Sequence, residues 1–210
     1  MTLDVMVDLE TLGTSARTAI LALGACAFDP LGETVDRGQT FYRNVDAQSC
    51  LDLGLTVDGG TIMWWLGQSA AARRVLFDPK PVGLRTVLLD FDRWYRQVTA
   101  RESCIWSHGL TFDVPILSEL YRTVGQRTPW FYSRAHDTRT LFDYCGFKLP
   151  NADTREGGHN ALEDTILQAA GVQHCTRRLA MGLGVVDTDS LAQVPPVIVP
   201  SETTDETVDW

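Results

Sequence analysis

The chain has 210 residues, 44% hydrophobic and 21% charged, the balance of an ordinary folded domain with a sizeable core rather than of a disordered or fibrous chain. Its formal charge of -9 excludes a protein that coats nucleic acid through a broad basic face, yet leaves room for acids gathered around metal ions. Five widely spaced cysteines, with no CxxC pair, exclude a disulfide framework and a zinc knuckle and fit a reducing cytoplasm.

No basic, apolar leader opens the chain, and the longest apolar stretch, AILALGACAF, is too short to span a bilayer, so a soluble protein with no membrane association is expected. Strands are expected at Leu3–Leu9, Ala19–Phe28, Glu33–Asp36 and Gln39–Asn44, with DPLGE as the turn after the second. Helical periodicity then takes over in TIMWWLGQSAAARRVLF and VGLRTVLLDFDRWYRQVTA, separated by DPKP. A short strand, SCIWSH, leads into the helix FDVPILSELYRTVG, whose Ile116, Leu117, Leu120 and Val124 make an apolar stripe. Another helix is expected at Asp137–Tyr144, then the loop KLPNADTREGG and a long helix from Asn160 to Met181. Residues 1–182 thus form one α/β domain with a mixed sheet flanked by helices, and residues 183–210 a Pro-rich, then acidic, extended or disordered tail.

The first strand carries the first chemical signal. In VMVDLET, Asp8 and Glu10 stand two residues apart, so on a strand both carboxylates project from one face. Like charges held together raise each other's proton affinity unless a cation is shared between them, and a divalent metal is the obvious cation. An edge strand with solvated acids has the same pattern, so the pair alone is weak.

Three further residues change its weight. Asp113, in WSHGLTFDVPIL, sits where a strand has ended and a helix begins; alone it reads first as a helix N-terminal acid favoured by the dipole. In GGHNALEDT, Asn160 and Glu163 have the spacing of a capping box. That assignment puts His159 just before the cap and Asp164 at the fourth helical position, two places whose side chains meet across a helix start.

Read together, DLET, FD and HNALED resemble the DEDD superfamily of 3′–5′ exonucleases, in the subclass with histidine as general base, to which the ribonuclease T and proofreading type belongs. The stretches VDLETLGTSARTAILALGACAFD and TIMWWLGQSAAAR, with Pro129–Trp130, look closest to a small bacterial and bacteriophage exoribonuclease-like branch, over about residues 3 to 180. Where FDN is expected at the second acid, the sequence has Asp113, then Val114 and Pro115. The resemblance implies an RNase H-like fold. It also implies two Mg²⁺ or Mn²⁺ ions held by Asp8, Glu10, Asp113 and Asp164, with His159 deprotonating the attacking water.

The expected activity is 3′–5′ removal of nucleoside 5′-monophosphates from single-stranded nucleic acid, with RNA favoured and DNA the alternative. A silent nucleic-acid-binding module is the competing class, and it should lack one of the five residues. Thr11, Leu12, Gly13 and Phe112 are the expected contacts to the strand end. Trp64 and Trp65 suit base stacking, although residues at helical spacing with Ile62 and Leu66 are more often core. The resemblance and the tail together allow a homodimer.

Overall fold

The computed structural model describes residues 2–77, 80–152 and 159–182; the expected tail, and most of the loop before the last helix, lie outside them. Strands β1 (Asp4–Thr11), β2 (Ile20–Phe28), β3 (Thr40–Asn44), β4 (Ile105–Ser107) and β5 (Ala135–Asp137) form one sheet in the order β3-β2-β1-β4-β5. The β3-β2-β1 half is antiparallel, and β1-β4-β5 is parallel, as connections through helices require. The mixed RNase H-like sheet expected from the sequence is therefore present.

Alternation along β1 separates the two faces. Val5, Val7 and Leu9 enter the larger core with α3 (Leu84–Val98) and α4 (Asp113–Thr123). Met6 points the other way, into a smaller core with Cys26, Phe28, and residues of α5 (Thr138–Cys145) and α6 (Ala161–Gly182). Burying such faces at ~25 cal/mol per Å² of apolar surface holds the layers together. Asp8 and Glu10 continue the Met6 phase, so they project on the α6 side at the end of the strand.

Several elements differ from expectation. Residues 33–36 are not a strand; Asp29 and Asp36 instead nucleate turns, each accepting from a backbone amide two residues on. The helix expected through TIMWWLGQSAAARRVLF breaks into α2 (Gly59–Gly67) and a 3-10 segment at Ala72–Phe77, because Gly67 costs helix stability and Gln68 is extended. Three elements escaped the sequence reading: α1 (Ala47–Leu51), capped by Asp46, a 3-10 segment at Tyr132–Arg134, and the three-residue β5, each too short to show a period. Among the described residues, no helix is long and apolar enough to cross a membrane.

Candidate active site

In the β1–β2 register Asp8 faces Gly24, and the start of α6 lies on that glycine. A Cβ at Gly24 would sit 2.4 Å from the carbonyl carbon of Ala161, so only a residue without a side chain lets the helix approach this closely. Asn160 caps α6 as its spacing predicted, its Oδ1 accepting from the Leu162 and Glu163 amides at 3.1 and 3.2 Å. Asp164 follows on the first turn and is buried. Oxygen atoms of Asp8, Glu10 and Asp164 lie within 4.8 Å of one another.

His159 precedes the cap at φ 59°, the one positive φ of a non-glycine residue among the described residues. Such backbone is uncommon outside glycine and collects at functional sites. Its ring stands perpendicular to that of Trp64 at a centroid distance of 4.9 Å.

Asp113 arrives from the opposite layer as the first residue of α4, beyond the end of β4. Its Oδ1 accepts from the Leu9 amide at 3.1 Å, which fixes it against the strand segment between Asp8 and Glu10. Burial, reinforced by the neighbouring Asp113 charge, pushes Glu10 up to about 7. Burial also raises Asp113 to about 7, against the opposing pull of the Leu9 amide and Arg139. Glu10 Oε1 is buried with no hydrogen-bond partner. Hard carboxylate oxygens, close together, dry and incompletely satisfied, fit divalent cations such as Mg²⁺ or Mn²⁺.

All five of these residues line one cavity of about 770 Å³, together with Thr11, Trp64, Trp65 and Phe112. Trp65 is almost fully buried and donates its indole N–H to the Thr11 carbonyl at 2.9 Å, whereas Trp64 is 42% exposed. Helix α2 brings both, anchored by Asp58, whose amide donates to Leu12 and whose side chain caps the helix. Leu12 and Gly13 are not among the residues lining the cavity. Leu12 is buried in the larger core and its amide already donates to Ala19, while Gly13 packs beside Thr18 and accepts from the Thr11 hydroxyl.

Among the residues of this wall that sequence reasoning missed, Gln168, His108 and Arg139 carry polar chemistry. Gln168 donates to Asp8, and its position one turn after Asp164 was the available signal. His108 contacts the Thr138 hydroxyl at 2.8 Å, and burial lowers its basicity. Arg139 enters from the start of α5, and its signal, the helix-capping run DTRT, lay in a segment read only as a helix.

A mixed sheet with carboxylates delivered by β1, α4 and α6 to one cavity defines the class: a 3′–5′ exonuclease domain of the DEDD type. Within that class, the chain belongs to the Rv2179c-like 3′–5′ exoribonuclease family, whose model matches residues 3–176. It is 30% identical over 132 residues to an exodeoxyribonuclease of Enterobacteria phage T4, covering 58% of this chain and 56% of that protein. The chain thus spans little more than half the length of this relative.

Among solved structures, the cell-death related nuclease 4 superposes with a TM-score of 0.60 at 13% identity, over 85% of this chain and 64% of that one. Pop2p of S. pombe, solved with Mg²⁺ and Mn²⁺ bound, superposes with a TM-score of 0.51 at 12% identity, over 90% and 87%. At these identities the likeness concerns the fold.

Proposed function

We propose that this chain is a metal-dependent 3′–5′ exonuclease that releases nucleoside 5′-monophosphates from single-stranded nucleic acid, RNA in preference to DNA. The observation that carries the reading is the convergence on one cavity of Asp8 and Glu10 from β1, Asp113 from α4, Asp164 from α6, and His159, which stands just before the α6 cap. Asp8, Glu10, Asp113 and Asp164 would hold two divalent ions, Mg²⁺ or Mn²⁺. Bound there, the ions supply Lewis acidity to the phosphodiester and to the attacking water.

The chain's own groups do the rest. The unprotonated imidazole of His159 accepts a proton from the attacking water, and Trp64 holds the ring edge-on for that purpose. Phe112 and the open face of Trp64 receive the terminal bases by stacking, which tolerates any sequence. Trp65 serves as a rigid wall rather than a stacking platform, being almost wholly buried. The metal ions offset the acids, which reconciles a chain of charge -9 with a polyanionic substrate.

RNA is favoured by the description of the matching family, and DNA is favoured by the phage relative, an exodeoxyribonuclease. Cytoplasmic residence and a homodimer, suggested by the free cysteines and the tail, belong to the same proposal. Digestion of matched, 5′-labelled single- and double-stranded RNA and DNA with Mg²⁺ or Mn²⁺ tests it. A ladder shortening from the 3′ end of single-stranded RNA is expected. Internal cutting of circular strands would overturn the polarity.

A further inference from the structure

Arg139 is the second residue of α5, exposed, and lines the same cavity as the four acids. Several other arginines of the chain are matched to acids, as in Arg17 with Glu119, Arg37 with Glu163, and Arg96 with Asp92. Among the described residues, no ion pair or hydrogen bond engages the Arg139 guanidinium. It rests instead over the backbone of Gly109: a Cβ there would meet Cζ and Nε at 3.4 Å. Gly109 has φ +112°, which a side chain would strain, so the glycine leaves that surface open to the guanidinium.

The placement is built rather than incidental. The Asp137 carboxylate accepts from the Gly109, Leu110 and Arg139 amides through Oδ1, at 3.1, 3.2 and 3.3 Å, and from the Thr140 amide and hydroxyl through Oδ2. One side chain thereby clamps the start of α5 to the loop that leads into Asp113. The positive charge is felt by Asp113, whose carboxyl it draws down against burial, and by His108, which it also draws down.

This cation answers a charge that the proposed metals leave over. Two divalent ions offset four carboxylates, so the substrate's own phosphate arrives uncompensated, and its charge grows as the bond to the leaving oxygen breaks. A planar guanidinium matches paired phosphate oxygens better than any other side chain. Resting on the exonuclease reading above, we infer that Arg139 binds a non-bridging phosphate oxygen of the nucleotide held in the cavity, so that the site recognises a nucleoside 5′-monophosphate unit rather than a nucleoside.

The test is calorimetric titration of the full chain, in Mn²⁺, with each ribonucleoside 5′-monophosphate and, by competition, its nucleoside. Arg139→Ala should weaken the monophosphates by roughly 10-fold or more, the loss expected for a charge-assisted hydrogen bond. Nucleoside affinity and the Mn²⁺ concentration that half-stabilises the protein against heat should stay within a factor of two. Arg139→Lys should fall between the two, keeping the charge and losing the fork. Equal weakening of nucleoside and monophosphate, or no weakening of either, overturns the inference; so does a shifted Mn²⁺ midpoint, which would mean that Arg139 acts through Asp113. If the wild-type chain releases mononucleotides and Arg139→Ala binds them unchanged, this inference alone fails. If the wild type releases none, the reading beneath it fails as well.

Discussion

Gln168 donates a hydrogen bond of 2.9 Å from Nε2 to Asp8 Oδ1, joining α6 to β1 at the floor of the acidic cavity. The other end of the amide, Oε1, is buried without a partner. One turn along the same helix stands Asp164, so a single rigid element both contributes an acid and orients the acid from the strand. A glutamate here would add a fifth negative charge, whereas glutamine aligns Asp8 through a neutral donor.

Gln168→Ala should therefore raise the Mg²⁺ concentration needed for half-maximal activity by ~10–100-fold, the usual cost of losing an outer support of a metal ligand. Turnover at saturating Mg²⁺ should recover most of the way. An unchanged Mg²⁺ requirement in a folded variant would reduce the contact to simple packing.

The close approach at Gly24 gives a second expectation. Gly24→Ala forces a methyl group into the Ala161 backbone, which cannot rotate aside as a side chain can. Overpacking of this kind costs ~1–3 kcal/mol. Because the start of α6 carries His159 and Asp164, activity should be lost well below the unfolding temperature, read as a mismatch between the activity and melting curves.

Stability without metal should depend on pH in a definite direction. In the unfolded chain Glu10 and Asp113 ionise in the ordinary range of ~4, but burial raises both to about 7 in the fold. Between those limits the folded state holds protons that the unfolded state has released, so this contribution is complete below about pH 4 and is lost as pH rises through 7. The metal-free melting temperature should fall from pH 5 to pH 8, and Mn²⁺ should raise it most at pH 8. Glu10→Gln should flatten the metal-free slope; a wild-type slope of the opposite sign would contradict the burial of these acids.

Acids and histidine should separate in their phenotypes. Asp8→Asn should lose Mn²⁺ binding and turnover together while remaining folded. His159→Ala should keep Mn²⁺ binding, measured by calorimetry, and lose ~10²–10⁴-fold in turnover, the usual contribution of a general base. Full turnover in His159→Ala would make the strained residue a structural joint.

Trp64 offers the simplest probe of substrate. Trp64→Ala should weaken binding of a single-stranded oligonucleotide by ~1–3 kcal/mol, the cost of one lost stacking platform, measured in Ca²⁺ by anisotropy. Since Trp64 also abuts His159, its turnover should fall further than its affinity. A loss of turnover with undiminished affinity would assign Trp64 to the histidine alone.

The local chemistry was legible in the sequence because it obeys short periods. Two-residue spacing puts Asp8 and Glu10 on one face of β1, and cap spacing puts Asn160 at the start of α6, and both hold in the fold. The mixed sheet follows likewise from strands written before helices. The irregular segment at residues 33–36 and the break at Gly67 are not legible in the sequence, because the strand and helix patterns there are interrupted by Asp and Gly, whose effects depend on neighbouring backbone.

What tertiary structure decided is everything that depends on two distant segments sharing a surface. Leu12 follows directly on the acidic motif, yet its side chain belongs to the core and its amide to Ala19. Gln168 and Arg139 stand far along the chain from Asp8 and reach its cavity, because Gly24 admits α6 and Asp137 clamps α5 to the loop before Asp113. Periodicity records which face of an element a side chain occupies. It carries no record of which other element that face will meet, because that is settled by close packing and by the pairing of buried polar groups across the whole domain.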